Sequence, residues 1–275
     1  MDVQAPAAIE TVDELAARVP DGALLAVPPD YSGCAMEVVR ALIRRRVTNL
    51  HLLGVPQVGF QGELLIGAGC VSTLEAAALT LGEFGPAPRF CAAVKTASLT
   101  LKDSTCPAIH AGLQATEKGV PFMPLRGLLG SDLVTHRKDW KVIANPYNAT
   151  ADEDPIVLLP AIHPDVALFH AALADRRGNV WIGVRRELML MAHAATTTLV
   201  SVEKITDDDL LDDDHTAAGT IPGLYVTALA EAERGAWPVG LWGAYAPDHA
   251  HLREYVDMAS TAAGFERYLE QFVNA

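Results

Sequence analysis

The chain has 275 residues, half of them apolar, and its 34 Asp and Glu against 21 Lys and Arg give a formal net charge of −13 at pH 7. A chain of this length can bury a large core, and a single α/β domain of this size is common. Binding of nucleic acid requires a basic patch. The basic run Arg44-Arg45-Arg46 lies at the end of a predicted helix, where the helix dipole favours cations. Composition therefore argues against a nucleic-acid-binding protein.

No targeting or membrane segment is recognisable. Residues 1–8 lack the basic region and apolar core of a signal peptide, and no apolar run reaches the roughly 18 residues that span a bilayer. Cys34, Cys70, Cys91 and Cys106 form no C-x-x-C pair, which is typical of an intracellular chain with scattered thiols. We therefore expect a cytoplasmic protein without a membrane anchor.

Strand and helix patterns alternate through the first 125 residues. A capping box, Thr11-Val-Asp-Glu14, begins a helix that extends to about Val19. A later helix ends at Gly119, before a short buried strand at 120–123. This alternation predicts βαβ units and a parallel sheet. The other predicted strands are 23–27, 49–55, 63–66 and 99–103, and the other predicted helices are 34–46, 73–81 and 90–96.

The second half of the chain has a different pattern. Two apolar segments, 140–147 and 155–162, predict a hairpin, and the acidic segment 207–214 predicts a solvated loop. Neither an internal repeat nor a low-complexity linker is present, so we expect a single domain over residues 1–275. The remaining predicted strands are 166–174, 179–183, 197–203 and 224–231, and the remaining predicted helices are 187–194, 252–260 and 265–273.

Two common kinds of site lack their motifs. Gly67-Ala-Gly69 is not followed by the third glycine of a dinucleotide-binding turn, because position 72 is Ser, and no Walker A loop occurs. The close histidine pairs are His249-x-His251 and His163 with His170. Neither pair comes with the cysteines or carboxylates that complete a metal site. We therefore expect neither a dinucleotide nor a metal.

Carboxylates at strand ends are candidates for catalysis. One predicted strand ends at Glu203, and another ends at Asp103, which Ser104 follows. Ligands of open α/β sheets bind at strand ends, so both carboxylates are candidate catalytic groups and Ser104 a candidate substrate contact. The alternative is that both are ordinary charges on the rim of the sheet. Cys70 fits a small core residue better than a reactive thiol, and no G-x-S-x-G elbow is present.

The loop after the predicted strand 120–123 carries small and polar residues of the kind that bind ligands. Its candidate substrate-binding residues are Arg126, Gly127, Gly130 and Ser131. The guanidinium of Arg126 suits a substrate carboxylate, but it could equally hold its own loop in place.

Several segments together resemble the A subunits of the family I CoA-transferases, in particular those of the glutaconate CoA-transferase group. The resemblance covers residues 21–245 and implies an α/β fold with an open, mainly parallel sheet flanked by helices. It also implies a partner of similar fold, the B subunit. The segments are Leu65-Ile-Gly-Ala-Gly-Cys-Val71, Gly119-Val-Pro-Phe-Met-Pro124, Leu129-Gly-Ser-Asp-Leu133, Ala161-Ile-His-Pro-Asp-Val166, Asp175-Arg-Arg-Gly-Asn-Val180 and Gly235-Ala-Trp-Pro238.

The resemblance implies a mechanism in which a glutamate attacks an acyl-CoA thioester. An acyl-enzyme anhydride and then a glutamyl-CoA thioester form, and CoA passes to a carboxylic acid. In glutaconate-type enzymes that glutamate lies on the B subunit, so the A subunit would complete the pocket. Coenzyme A would enter as part of the substrate, with no permanently bound cofactor.

Two departures from the family pattern affect the site. Where the family often has a Gly-Gly-Phe turn, this chain has Val27-Pro-Pro-Asp-Tyr-Ser-Gly33, and proline removes backbone donors. We expect Tyr31, Ser32 and Gly33 of this turn to contact substrate. In the A subunits of the related steroid ring-opening CoA hydrolases, a glutamate lies near the segment that here reads Lys102-Asp-Ser-Thr105, so Asp103 is its nearest match.

Three functions remain open at this point. The first is CoA transfer to a small carboxylic acid with the nucleophile on a partner subunit. The second is hydrolysis or carbon–carbon cleavage of an acyl-CoA by means of Asp103. The third is a non-catalytic subunit that has kept the fold, because a fold does not fix a function.

Overall fold

The structure is a computed structural model that describes residues 7–148 and 154–274. Its main sheet contains ten strands: β1 Ala8–Glu10, β2 Leu24–Val27, β3 Leu50–Gly54, β4 Val71–Ala76, β5 Thr100–Asp103, β9 Val166–Asp175, β10 Val180–Trp181, β11 Thr197–Thr206, β12 Thr220–Ile221 and β13 Ala228–Glu231. Eight of them follow the order β1-β13-β11-β9-β2-β3-β4-β5, and every neighbouring pair in that order is parallel. The short strand β10 pairs with β9, and β12 pairs with β10, both antiparallel.

Helices cover both faces of this sheet. The helices are α1 Val12–Ala17, α2 Met36–Arg44, α3 Phe60–Gly67, α4 Pro88–Lys95, α5 Cys106–Glu117, α6 Leu133–His136, α7 Arg186–Ala194, α8 Asp214–Ala217, α9 His249–Ala259 and α10 Ala262–Phe272. Alternate strand residues face opposite layers: Leu168 joins the cluster with α1, α2, α3, α9 and α10, whereas Phe169 joins the cluster with α5 and α7. Strands buried on both faces are the ordinary form of a parallel sheet. The expected open, mainly parallel α/β fold is confirmed.

A small antiparallel sheet lies beside the main one. It consists of β6 Phe122–Leu125, β7 Lys141–Ala144 and β8 Pro155–Pro160, in the order β6-β8-β7. Its core, which includes Trp140 and Leu159, packs against Ala108 and Ala111 of α5. The predicted hairpin of 140–147 and 155–162 is therefore confirmed where the structure describes it, since residues 149–153 lie outside the described ranges.

Two predicted elements have the opposite type. The predicted strand 63–66 is part of α3, whose Leu64, Leu65 and Ile66 are all buried. A helix buried on all sides shows no periodicity, so the sequence cannot distinguish it from a buried strand. The predicted helix 73–81 is instead β4, with Val71, Leu74 and Ala76 in the core, followed by a loop.

Two predicted strands are shorter or less buried than expected. The strand predicted as buried at 120–123 begins only at Phe122, whose side chain is 43 % exposed, because it belongs to the small sheet. Of the predicted strand 224–231 only Ala228–Glu231 is extended, after a single helical turn at Gly223–Tyr225. The capping box at Thr11 is confirmed. Within the described residues no helix is long and apolar enough to cross a bilayer.

Candidate active site

The loop after β2 is held at the carboxyl edge of the sheet by the N-terminus of α3. Both carboxylate oxygens of Asp30 accept the N–H of Phe60 at 2.9 Å, and Pro28 accepts the side-chain amide of Gln61 through its carbonyl. Gly59 leaves room for this carboxylate, since a Cβ there would overlap it. The prolines thus remove two N–H donors, while their segment still anchors the loop through acceptors.

Tyr31, Ser32 and Gly33 leave this loop in different directions. The ring of Tyr31 is 52 % exposed, and Arg185 places its guanidinium 5.4 Å from the ring centroid. Ser32 is buried and donates its hydroxyl to the carboxylate of Glu187. Gly33 has a φ of +90° and accepts the N–H of His170 at 2.7 Å through its carbonyl. A Cβ at Gly33 would overlap the carbonyl oxygen of His170, so only glycine fits.

A polar cluster forms around Tyr31, and we call Tyr31, Ser32, Gln57, Arg185 and Glu187 the Tyr31 cluster. Burial raises the pKa of Tyr31, and the charge of Glu187 raises that pKa further, against the guanidinium of Arg185 and a hydrogen bond with Gln57. The Nε of Arg185 is buried and has no hydrogen-bond partner among the residues that the structure describes. The cluster therefore combines a phenol, an amide and a partly unpaired cation at one edge of the sheet.

An open cavity of about 750 Å³ is lined on one side by Tyr31, Gln57 and Arg185 of the Tyr31 cluster. We call it the apolar cavity, because side chains such as Leu81, Phe84, Val239, Leu241, Trp242 and Leu252 line it. Its walls come from the loops after β2, β3 and β4 and from the segment between β13 and α9. The carboxyl ends of parallel strands are where open α/β sheets bind ligands, and the volume is in the ordinary range for a small-molecule site.

Glu203 lies within β11, which continues to Thr206, so the prediction that the strand ends at Glu203 is wrong. Three donors hold its carboxylate. Its Oε1 accepts Nε2–H of His170 and the hydroxyl of Tyr245, both at 2.8 Å, and its Oε2 accepts the N–H of Arg234 at 2.8 Å. His170 is also 2.8 Å from the hydroxyl of Ser201 through Nδ1. Burial raises the pKa of Glu203, but these hydrogen bonds outweigh it and the pKa is lowered overall. Glu203 is therefore an ionised carboxylate, and both of its oxygens accept hydrogen bonds.

Asp103 has a different environment. Its side chain is exposed and makes no hydrogen bond or ion pair with any residue in the described part of the chain, although its carbonyl accepts Nη1–H of Arg137 at 2.9 Å. A second cavity of about 680 Å³ is lined by Asp103 together with His136, Arg137 and Lys138. Ser104, next along the chain, is buried and donates its N–H to the carbonyl of Ala76.

A buried ionic network stands beside this second cavity. Glu75 is 2 % exposed and pairs with Arg137 at 2.8 Å, Lys102 at 2.9 Å and His51 at 3.2 Å. Arg137 also pairs with Asp139 at 2.8 Å, which together with Lys102 lowers the pKa of that carboxyl to about 2. The network joins β3, β4 and β5 to the segment before β7, and so fixes the small sheet to the main one.

The loop that carries Arg126, Gly127, Gly130 and Ser131 belongs to the small sheet. Arg126 forms an ion pair with Asp154 at 2.7 Å, so in this structure the guanidinium holds its own loop against the small sheet. Ser131 accepts the N–H of Leu133 at its hydroxyl, and Gly130 has a φ of +80°. These residues form a group separate from the Tyr31 cluster.

Sequence reasoning missed Gln57, Arg185, Glu187 and Tyr245. Gln57 gave a signal, because it follows the predicted strand 49–55 at the same sheet edge as Tyr31. The other three lie more than 150 residues after Tyr31 in the sequence, and only the strand order β9-β2 brings β9 and the segments after it beside β2.

The structure thus defines an α/β protein with an open, largely apolar cavity at the carboxyl edge of a mainly parallel sheet. The family model "Coenzyme A transferase" matches residues 9–232, and the chain belongs to that family. The resemblance to the A subunits of the family I CoA-transferases is confirmed.

Three relatives have 28–30 % identity. An uncharacterized protein of Archaeoglobus fulgidus is 30 % identical over 242 residues, or 87 % of this chain, and this chain spans about half (53 %) of its length. The cholesterol ring-cleaving hydrolase IpdA subunit of Rhodococcus jostii is 28 % identical over 87 % of this chain and 82 % of the relative. The A subunit of glutaconate CoA-transferase from Acidaminococcus fermentans is 28 % identical over 84 % of this chain and 76 % of the relative.

Two solved structures share the fold. A variant of the decarboxylase AibA/AibB superposes with a TM-score of 0.83 at 28 % identity and covers 98 % of this chain and 100 % of its own. Glutaconate coenzyme A-transferase from Acidaminococcus fermentans superposes with a TM-score of 0.86 at 24 % identity, over 96 % of this chain and 88 % of its own.

Proposed function

We propose that the chain is the A subunit of a two-subunit CoA-transferase that moves CoA between an acyl-CoA and a carboxylic acid. The nucleophilic glutamate belongs to the B subunit. The observation that carries this proposal is the state of Glu203, the glutamate expected at a strand end. Its carboxylate already accepts hydrogen bonds from His170, Tyr245 and the Arg234 N–H, so it is not free to attack a thioester.

In the proposed reaction the partner's carboxylate attacks the thioester carbonyl of the acyl-CoA. A carbon–oxygen bond forms, the carbon–sulfur bond breaks, and CoA leaves as a thiolate that then attacks the glutamyl carbonyl of the anhydride. The donor acid is released, and the acceptor carboxylate reverses the two steps. Covalent catalysis of this kind divides one difficult exchange into easier displacements. CoA enters and leaves with the substrates, so no resident cofactor is needed.

This chain supplies binding and orientation in that scheme. Arg185 lines the cavity and offers its guanidinium to a carboxylate, and Tyr31 and Gln57, which also line it, offer a hydroxyl and an amide beside it. Guanidinium groups suit carboxylates because of their planar donor geometry. The Tyr31 cluster then holds the thioester carbonyl of the acyl-CoA, or the carboxylate of the acceptor acid, next to the partner's glutamate.

The test is to isolate the chain with its natural partner by native mass spectrometry and to treat the complex with acyl-CoA and then hydroxylamine. Hydroxylamine converts a glutamyl-CoA thioester to a hydroxamate, and peptide mapping shows which chain carries it. We expect the hydroxamate on the partner, and no turnover by this chain alone. A hydroxamate on Glu203, or robust transfer by a homo-oligomer of this chain, contradicts the proposal.

The free carboxylate of Asp103 at the second cavity favours a second candidate function, hydrolysis or carbon–carbon cleavage of an acyl-CoA. One relative, at 28 % identity, is named as part of a ring-cleaving hydrolase. In this function Asp103 activates water or removes a proton. Asp103→Asn should abolish cleavage by the complex, whereas Asp132→Asn, an exposed control, should not. Full cleavage activity in Asp103→Asn excludes this candidate.

A further inference from the structure

We propose that the apolar cavity holds the body of the acyl group and takes monocarboxylic acids with an apolar body, as acids or CoA thioesters, in preference to dicarboxylic acids. This inference rests on the proposed function for its acyl-CoA chemistry. The cavity itself is defined by the described side chains alone.

The walls of the cavity are suited to hydrocarbon. Leu81, Val239, Leu241 and Leu252 are buried side chains that line it, and the ring of Trp242, 49 % exposed, stands at its outer side. Its volume of about 750 Å³ exceeds what a short acyl chain fills. Each methylene buried against such walls strengthens binding by about fourfold, so the cavity favours longer or bulkier acyl groups.

The cavity offers one cation to a substrate carboxylate. Arg185 is the only Lys or Arg among the described residues that line it, and its buried Nε has no hydrogen-bond partner among them. His249 also lines the cavity, but its Nδ1 is 3.2 Å from Oε1 of Glu83. One carboxylate, or the carbonyl oxygen of a thioester, can therefore pair with the guanidinium of Arg185 beside Tyr31.

A second carboxylate would enter an unfavourable environment. Asp30 and Glu83 both line the cavity, so its walls already carry acidic groups. Burial raises the pKa of Asp30 to about 6 even though Phe60 donates its N–H to it and Cys34 contacts it. A dianionic ligand would add charge there without a cation to pair with, and buried unpaired charges are costly.

The experiment measures binding to the full-length chain by isothermal titration calorimetry, with octanoate and octanedioate as matched probes. The two probes have the same carbon number and differ by one carboxylate. Octanoate should bind at least about tenfold more tightly, and affinity should rise about fourfold per methylene from hexanoate to octanoate. Octanamide should bind more weakly than octanoate, and Arg185→Gln should remove that difference.

Two exposed alanines, one that lines the cavity and one that does not, give a matched pair of variants. Ala246 lines the cavity, whereas Ala250, in the first turn of α9, is exposed and does not line it. Ala246→Trp should fill the space and weaken octanoate binding at least about tenfold, and Ala250→Trp should leave it within about twofold. Both variants place the same side chain on the surface, so a general effect of tryptophan is controlled.

Three results overturn the inference: equal affinity for octanoate and octanedioate, full octanoate binding by Ala246→Trp, or no saturable octanoate binding by the chain. These results are independent of the transfer assay. Octanoate binding with the expected selectivity, but without CoA transfer by the complex, leaves the cavity assignment standing and rejects the proposed function. CoA transfer by the complex with a preference for octanedioate supports the proposed function and rejects the cavity assignment.

Discussion

His170 and Glu203 join adjacent parallel strands through a hydrogen bond of 2.8 Å between Nε2 and Oε1, with the imidazole fully buried. Ser201 on the other side of the imidazole completes a serine–histidine–glutamate series. Such a series resembles a hydrolase triad, but here both Ser201 and His170 are 0 % exposed. The arrangement therefore ties β9 to β11 and positions Tyr245 at the cavity wall, and gives substrate no nucleophile.

Glu203→Gln should destabilise the fold by about 1–3 kcal/mol at pH 7, because hydrogen bonds to a charged acceptor are lost. Burial is outweighed by the donors His170, Tyr245 and Arg234 N–H, so the pKa of Glu203 is lowered. Its stabilisation is present above the unfolded pKa, near the ordinary value of 4.5, and disappears as pH falls through the lower folded pKa. Urea unfolding at pH 7 and pH 3 should show the difference between wild type and variant shrinking in acid. A constant difference would contradict this account.

Asp30 should have the opposite pH dependence. Burial raises the pKa of Asp30 from 3.8 to about 6, so its contribution to stability is full below pH 3.8 and is lost as pH rises through about 6. Asp30→Asn keeps an oxygen that can accept the Phe60 N–H. The stability of this variant relative to wild type should increase between pH 4 and about 7, as measured by urea unfolding. Asp30→Ala, which removes the acceptor of the Phe60 N–H, should instead cost about 1 kcal/mol. A relative stability of Asp30→Asn that falls over this range would show that burial does not control the carboxyl.

Arg137→Ala should cost about 3 kcal/mol, because it removes the closest partner of the buried carboxylate of Glu75. Lys102 and His51 remain beside that carboxylate, so the loss should lie at the low end of the range for broken buried pairs. Chemical unfolding measures the loss, and hydrogen exchange should show reduced protection in β7. Unchanged exchange there would mean that the network does not fix the small sheet.

Gly33→Ala should lower the free energy of unfolding by about 3 kcal/mol, because its φ is +90° and its Cβ would overlap the His170 carbonyl. Gly243→Ala is the matched control: its φ is +78°, but a Cβ there meets open space. That variant should lose only about 1 kcal/mol. Thermal unfolding distinguishes the two, and equal losses would show that the close approach to His170 is unimportant.

The sequence predicted the elements whose periodicity or capping is explicit and failed where burial removes the pattern. Thr11 and Glu14 form the expected capping box, and the expected strand at 23–27 is β2. The prediction of a strand within α3 was wrong because Leu64, Leu65 and Ile66 are all buried and show no helical periodicity. No local rule distinguishes such a segment from a buried strand.

The site was predictable only in part, for a related reason. Tyr31 and Ser32 follow a predicted strand, so their place at the sheet edge was expected. Their partners Arg185 and Glu187 come from the N-terminal end of α7, which reaches them because β9 also pairs with β2, a strand far from it in sequence. Whether the predicted site residues act in catalysis stays a prediction that the experiments above test.

The family match ends at residue 232, one residue after β13, whereas Val239, Leu241, Trp242 and Leu252 of the cavity wall all follow it. The cavity wall is therefore divided: Leu81, Phe84 and Arg185 lie within the matched family segment, and these four residues lie beyond it. Exchange of exposed wall residues in this segment, such as Trp242 and Ala246, would alter which acids fit and leave the hydrogen bond from Tyr245 to Glu203 in place. Under the proposed function, changes in this C-terminal segment would therefore alter which acids fit without changing the strands of the sheet.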